Sequence, residues 1–134
     1  MTMSSELPAV SGKGRLIILW TLSVLTALAF VAAGGAKLAG VPVMVAMFEK
    51  LGVGQWFRYF TGLVELTAGI GLLISRYAFY AALALVVVMI GATIAQLTVL
   101  AASPAAPLAL LVFNGIIAYL RKPAQLPFAG GNRV

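Results

Sequence analysis

The sequence predicts an all-α polytopic membrane protein: a bundle of four transmembrane helices, with a short interfacial amphipathic helix between the first and second spans. Composition is the first reason, because 63% of the 134 residues are hydrophobic and the mean hydropathy is +1.10. Charge is the second, because only 9% of the residues are charged, against about 25% in soluble domains. The charged residues also lie mostly at the ends of long apolar runs, which is typical of helices that cross a bilayer.

Hydropathy and turn residues delimit the four predicted spans. They cover about residues 16–36, 59–75, 77–102 and 107–120. From Tyr77 to Leu120 no residue is charged, and the segment 103–107, which holds two prolines, predicts the turn between the last two spans. The first span begins like a signal peptide. Its apolar run is longer than a signal core, however, so a retained span is expected.

The segment 42–51 is too short to span and is predicted to lie in the membrane interface. Pro42 suits the first turn of a helix. Apolar residues then recur at helical spacing: Val43, Met44, Met47, Phe48 and Leu51. Glu49 and Lys50 lie off this apolar face, which is the pattern of an amphipathic interfacial helix.

The basic residues predict the orientation of the chain in the membrane. With four spans, the N-terminal tail (residues 1–15) and the C-terminal tail (residues 123–134, expected to be flexible) lie on the same side. That side would carry most of the basic residues: Lys13, Arg15, Arg76, Arg121, Lys122 and Arg133. The other side would carry Lys37, Lys50 and Arg58. Because cytoplasmic loops are enriched in Lys and Arg, both tails are predicted to be cytoplasmic.

Composition argues against several classes of function. The chain has no Cys and no His, which removes thiol redox chemistry and His-ligated haem. Its three carboxylates, Glu6, Glu49 and Glu65, are too few for a dimetal carboxylate centre, and no metal site is expected. The net charge of +6 is scattered without a basic patch, so the lipid bilayer is an expected partner and nucleic acid is not. A free-standing enzyme is the least favoured interpretation, because no nucleophile–base pair is apparent.

Glu65 is the strongest candidate for a functional residue. It is the only charged residue between Arg58 and Arg76, so it lies inside a predicted span. A carboxylate there costs several kcal/mol unless it is protonated, paired or hydrated. The sequence therefore predicts an interior polar site around Glu65.

Each of the other three predicted spans brings one polar side chain to a similar depth. These residues are Lys37, Gln96 and Asn114, and Thr61 lies one helical turn before Glu65. We predict an ion pair or water-bridged pair between Lys37 and Glu65, supported by Gln96 and Asn114. The alternative is that these contacts only fix which helices meet, because polar contacts between membrane helices also set register.

Three segments resemble the DoxX family of small four-span bacterial membrane proteins. They are LAFVAAGGAKLAG, FEKLGV and FTGLVELTAGIGLLIS, with the motifs G-x-x-K-L and G-L-x-E-L-x-x-G. The resemblance covers about residues 16–122, and Lys37 and Glu65 are the matching charged positions. It implies a four-span fold located in the bacterial cytoplasmic (inner) membrane. Some family members are described as the membrane subunit of a thiosulfate:quinone oxidoreductase, and others associate with redox-defence or sulfur-metabolism proteins.

Three hypotheses of function follow. The first is a non-catalytic accessory or anchoring subunit of a larger membrane complex, linked to quinone, sulfur or redox-defence metabolism. No cofactor site is visible in the sequence, but a quinone would fit between the spans near Lys37 and Glu65. The second is a small homo-oligomeric transporter with Glu65 as its coupling carboxylate. The third is a purely structural peripheral subunit of a respiratory or photosynthetic assembly.

Overall fold

The computed structural model describes residues 12–122, and these residues form five helices and no strand. The helices are α1 (Gly12–Ala39), α2 (Pro42–Leu51), α3 (Gln55–Gly71), α4 (Ala78–Leu97) and α5 (Ala105–Arg121). The all-α prediction is therefore confirmed at the level of secondary structure. Most of the predicted tails, residues 1–11 and 123–134, lies outside the described residues, whereas residues 12–15 belong to α1.

Glycines with positive φ separate the first three helices. Gly40 (φ 75°) follows α1, Gly52 (φ 75°) caps α2, and Gly54 (φ 114°) precedes α3. Residues with a Cβ adopt these dihedrals at a steric cost, which glycine avoids. Pro42 then opens α2, where its missing N–H costs nothing. The short helix α2 is thus bounded on both sides by a glycine in the left-handed conformation. Its observed bounds agree with the predicted 42–51.

The four longer helices pack side by side in a ring, in the order α1, α3, α4, α5. The most extensive contacts join α1 to α3 and α4 to α5, and the two pairs meet through α3 with α4 and α1 with α5. Buried apolar residues fill the centre: Ala27, Phe30, Leu72, Ala82, Leu85, Met89, Ile117 and Ala118. The helix α2 packs mainly against α3 and, less extensively, against α1.

Three glycines bring α1 and α3 into close contact. A methyl group at Gly34 would lie 2.7 Å from the carbonyl oxygen of Gly62, and one at Gly62 would lie 2.9 Å from Cβ of Lys37. Deeper in the bundle, a methyl group at Gly69 would lie 3.1 Å from Cβ of Phe30. Because residue numbers fall along α1 as they rise along α3, the two helices are antiparallel. Small residues are what allow helix backbones to approach this closely.

Two of the helices, α1 and α4, are long and apolar enough to cross a membrane, and α5 is a shorter apolar helix. Only 28% of the most apolar stretch of α1, and of α4, is buried, whereas the core helix of a soluble protein would be mostly covered. Large apolar side chains such as Leu25, Leu28 and Val87 point outward. An apolar surface of this extent indicates a membrane protein.

Several predicted boundaries differ from the helices. The first segment runs to Ala39 rather than residue 36, because Lys37 is paired and does not end the helix. The second helix begins at Gln55 and ends at Gly71, four residues earlier than predicted at each end. The third ends at Leu97 rather than residue 102, because the backbone turns back there and the amide N–H of Ala102 donates to the carbonyl of Gln96. Hydropathy misplaced this last boundary because the turn itself is apolar.

We predict that Gly34→Ala destabilises the protein by about 1–3 kcal/mol, the usual cost of forcing an extra group into a packed interface. Gly35→Ala is the matched control, because a methyl group there would have nothing within 4 Å. Its effect should be neutral or stabilising, since Ala favours the helix. Unfolding by a denaturing detergent measures both. Equal effects of the two substitutions would contradict the tight contact between α1 and α3.

Candidate functional site

Lys37 and Glu65 form a buried ion pair between α1 and α3. The Lys37 Nζ donates to Glu65 Oε1 at 2.9 Å, and the two side chains are 12% and 4% exposed. The predicted pairing of these residues is thus confirmed in the structure. Because Glu65 is the only carboxylate within α3, this contact neutralises the one acid that the helix carries into the bundle.

The glycine contact explains why these two side chains meet. Gly34 and Gly62 lie one helical turn before Lys37 and Glu65, and they hold the two backbones together. Side chains on a helix lean toward its N-terminus. Since α1 and α3 are antiparallel, Lys37 and Glu65 lean toward each other. The pairing therefore follows from helix direction and from a close backbone approach.

Arg58 adds a second cation to the site, which the sequence analysis missed. Its Nη1 donates to the carbonyl of Lys37, and its Nε donates to Gln55 Oε1 at 2.6 Å. The Gln55 Nε2 in turn donates to the carbonyl of Val45 in α2 at 3.1 Å. Arg58 thus satisfies a carbonyl at the C-terminal end of α1, where a positive charge is favourable. The chain of hydrogen bonds ties α1, α2 and α3 together.

The sequence analysis counted Arg58 only among the basic residues on the side of the membrane opposite the tails. In the structure its guanidinium lies 4.3 Å from the ring centroid of Tyr59, and the residue is only 5% exposed. The available signal was the spacing of Gln55 and Arg58, which puts the two side chains on the same face of a helix. This spacing is too common to have identified a partner in another helix.

A partly open cavity of about 610 Å³ lies beside the ion pair, between the helices. Every helix contributes to its walls, which are almost entirely apolar. The polar side chains that line it are Lys37, Thr61, Glu65 and Gln96. An apolar cavity of about 300–1,000 Å³ with a few convergent polar groups is the usual form of a small-molecule site.

Two of the lining polar residues, Thr61 and Gln96, make further hydrogen bonds that fix their side chains. The Thr61 Oγ1 donates to the carbonyl of Phe57 at 3.0 Å, so its oxygen remains an acceptor. The Gln96 Nε2 donates to the carbonyl of Ser103 at 2.9 Å and braces the turn after α4. The second oxygen of Glu65, Oε2, makes no hydrogen bond to the described residues. The cavity therefore offers a charged donor and several oxygen acceptors.

Asn114 does not join this group, although the sequence analysis placed it there. Its side chain is fully buried, and its Nδ2 donates to the carbonyl of Leu110, one turn earlier in α5, at 2.8 Å. Leu110 and Pro107 line the cavity, whereas Asn114 is not among its lining residues. The predicted polar layer thus comes together from α1, α3 and α4, with Asn114 outside it.

Within residues 12–122, no three His, Cys, Asp or Glu side chains come together as metal ligands would. What the site can do chemically is bind. Lys37 can donate to a carbonyl or hydroxyl oxygen, Glu65 can accept from a hydroxyl group, and the apolar walls can hold a hydrocarbon body.

The apolar helices and the buried ion pair define a small all-helical membrane protein with one polar site among its helices. A family model described as the DoxX-like family matches residues 21–119, and the chain belongs to this family. The resemblance noted in the sequence is therefore confirmed. No curated protein and no solved structure matches the chain significantly.

Proposed function

We propose that this protein is a non-catalytic accessory subunit of a larger membrane complex, and that its cavity binds a lipophilic quinone. The observation that carries the proposal is the cavity of about 610 Å³, apolar except for a few polar groups centred on the Lys37–Glu65 pair. A quinone has a flat ring with two carbonyl groups and an apolar tail, so it needs both properties.

The ion pair leaves atoms free for both redox forms of such a ligand. An ammonium group has three N–H donors, and Lys37 uses one of them on Glu65. A second can donate to a quinone carbonyl oxygen. The Oε2 atom of Glu65 can accept from the hydroxyl group of a quinol. Thr61 and Gln96 supply further polar contacts from α3 and α4.

The proposal of an accessory role rests on two residue types that the sequence lacks. Without Cys or His, the protein has neither a thiol for redox chemistry nor a histidine to ligate haem. Electrons for a bound quinone would then come from a partner subunit. The exposed apolar faces of the helices give such a subunit, or lipid, a surface to pack against.

We further propose that α1, α3, α4 and α5 all span the cytoplasmic membrane. Their ring-like packing supports this arrangement, and the 17 residues of α3 and of α5 reach the lower limit for a span. The bias of basic residues favours cytoplasmic tails. In this arrangement the turn between α3 and α4 is cytoplasmic, and α2 lies at the opposite surface.

Cysteine labelling tests this topology in a chain that has no cysteine of its own. Ser75 and Glu49 are exposed in the turn after α3 and on α2, respectively. We expect a membrane-impermeant maleimide to label Ser75→Cys only from the cytoplasmic side and Glu49→Cys only from the other side. Labelling of both variants from one side would rule out the proposed arrangement.

The ligand and partner are tested by purifying the native protein in lipid particles, followed by mass spectrometry for quinones and co-purifying proteins. We expect stoichiometric quinone and at least one partner subunit. Glu65→Gln and Lys37→Met should each lower the bound quinone about tenfold, the effect of losing one buried hydrogen bond. The partner subunit should stay bound, because it packs on the outer faces.

Glu49→Gln is the matched control for this experiment, because it removes an exposed carboxylate that does not line the cavity. It should leave the bound quinone unchanged. Absence of quinone from the native protein would contradict the ligand proposal. A protein that purifies alone, without a partner subunit, would contradict the accessory role.

A further inference from the structure

A second groove, of about 650 Å³, lies between α3 and α4. It shares no lining residue with the cavity at the ion pair. Its walls are apolar apart from Thr67 and two tyrosines, and they include Leu63, Ile70, Ile74 and Ala84. From Leu63 to Gly71, the groove follows α3 for about 12 Å, at 1.5 Å per residue. It therefore has the shape and polarity to hold a hydrocarbon chain.

The turn between α3 and α4 carries one cation, Arg76, which does not line the groove itself but lies in the chain between Ile74 and Tyr77, which do. Arg76 is exposed, and its guanidinium lies 5.5 Å from the ring centroid of Tyr77. It makes no ion pair or hydrogen bond with the described residues 12–122. The hydroxyls of Tyr77 and Tyr80, which line the groove, also make no hydrogen bond within that part of the chain.

Charge makes this end of the groove selective for anions. Arg76 is the only charged residue between Glu65 and Arg121, so no carboxylate of α3, α4 or their turn beyond Glu65 opposes an anion there. A phosphate oxygen accepts charge-assisted hydrogen bonds from a guanidinium, and phenol hydroxyls can donate as well. Unpaired donors beside an apolar groove match the layout of a phospholipid, in which a phosphate joins the acyl chains.

We propose that the α3–α4 groove binds one anionic phospholipid, with an acyl chain along Leu63, Ile70 and Ala84 and its phosphate at Arg76. A helix of another subunit would also cover the apolar walls, but it would need an acidic residue placed at Arg76. An anionic phospholipid carries its phosphate next to its acyl chains by its covalent structure, so it matches the apolar walls and the cation together. The proposal requires a membrane location, but it is independent of any ligand in the cavity beside Lys37 and Glu65.

Native mass spectrometry of the full chain, delipidated in detergent and then titrated with lipid, tests the proposal. The probes are phosphatidylglycerol, phosphatidylcholine and inorganic phosphate. We expect one phosphatidylglycerol to bind in preference to phosphatidylcholine. Arg76→Gln should weaken this binding about fivefold, the factor for one basic contact with an anionic headgroup. Ala84→Phe, at an exposed groove position, should block the acyl chain and weaken binding at least as much.

Lys122→Gln is the matched control, because it removes one exposed basic residue at the end of α5, outside the α3–α4 turn and the groove. It should leave phosphatidylglycerol binding unchanged. Equal weakening by Lys122→Gln and Arg76→Gln would overturn the proposal in favour of general charge attraction. Displacement of the lipid by inorganic phosphate would show a simple anion site. Exclusion of lipid by a second copy of the chain, crosslinked through Ala84→Cys, would show a protein interface and would also overturn it.

Discussion

The structure depends on neutralising one carboxylate, Glu65, inside an apolar bundle. An unpaired carboxylate in that environment is too costly, and Lys37 of α1 supplies its partner at 2.9 Å. Beside this contact, Gly34 and Gly62 allow the backbones of α1 and α3 to approach closely. The ion pair and the glycine contact thus lie together in the interface between α1 and α3, which is the most extensive helix pairing involving α1.

The cavity lies beside this ion pair. Buried apolar residues fill one end of the space between the α1–α3 pair and the α4–α5 pair, and the cavity lies toward the other end, where α2 also lines it. Lys37, Glu65 and, from α4, Gln96 all line that cavity. The ion pair joins α1 to α3. Its remaining donors and acceptors stay available to the ligand that we propose for the cavity.

The sequence predicted the helical class, α2 and the Lys37–Glu65 pair, because charges are so rare in this chain that each one carries information. It did not predict the contact of Arg58 with the carbonyl of Lys37. Every residue has a backbone carbonyl, so the sequence does not indicate which one accepts the hydrogen bond. Gln96 and Asn114 looked equivalent by depth, yet only Gln96 lines the cavity. Depth follows from residue number, whereas the direction of a side chain depends on helix rotation, which packing decides. The end of α4 was misplaced because apolar residues continue through the turn.

The most direct test of this account is a double-mutant cycle on the ion pair. It compares the free energy of unfolding in a lipid environment for Lys37→Met, Glu65→Gln and the double variant. We predict that each single substitution destabilises the protein and that the double variant loses less than the sum, with a coupling energy of about 1 kcal/mol or more. If the two effects add to within about 0.5 kcal/mol, the pair does not hold α1 to α3, and the account of the fold and of its site is wrong.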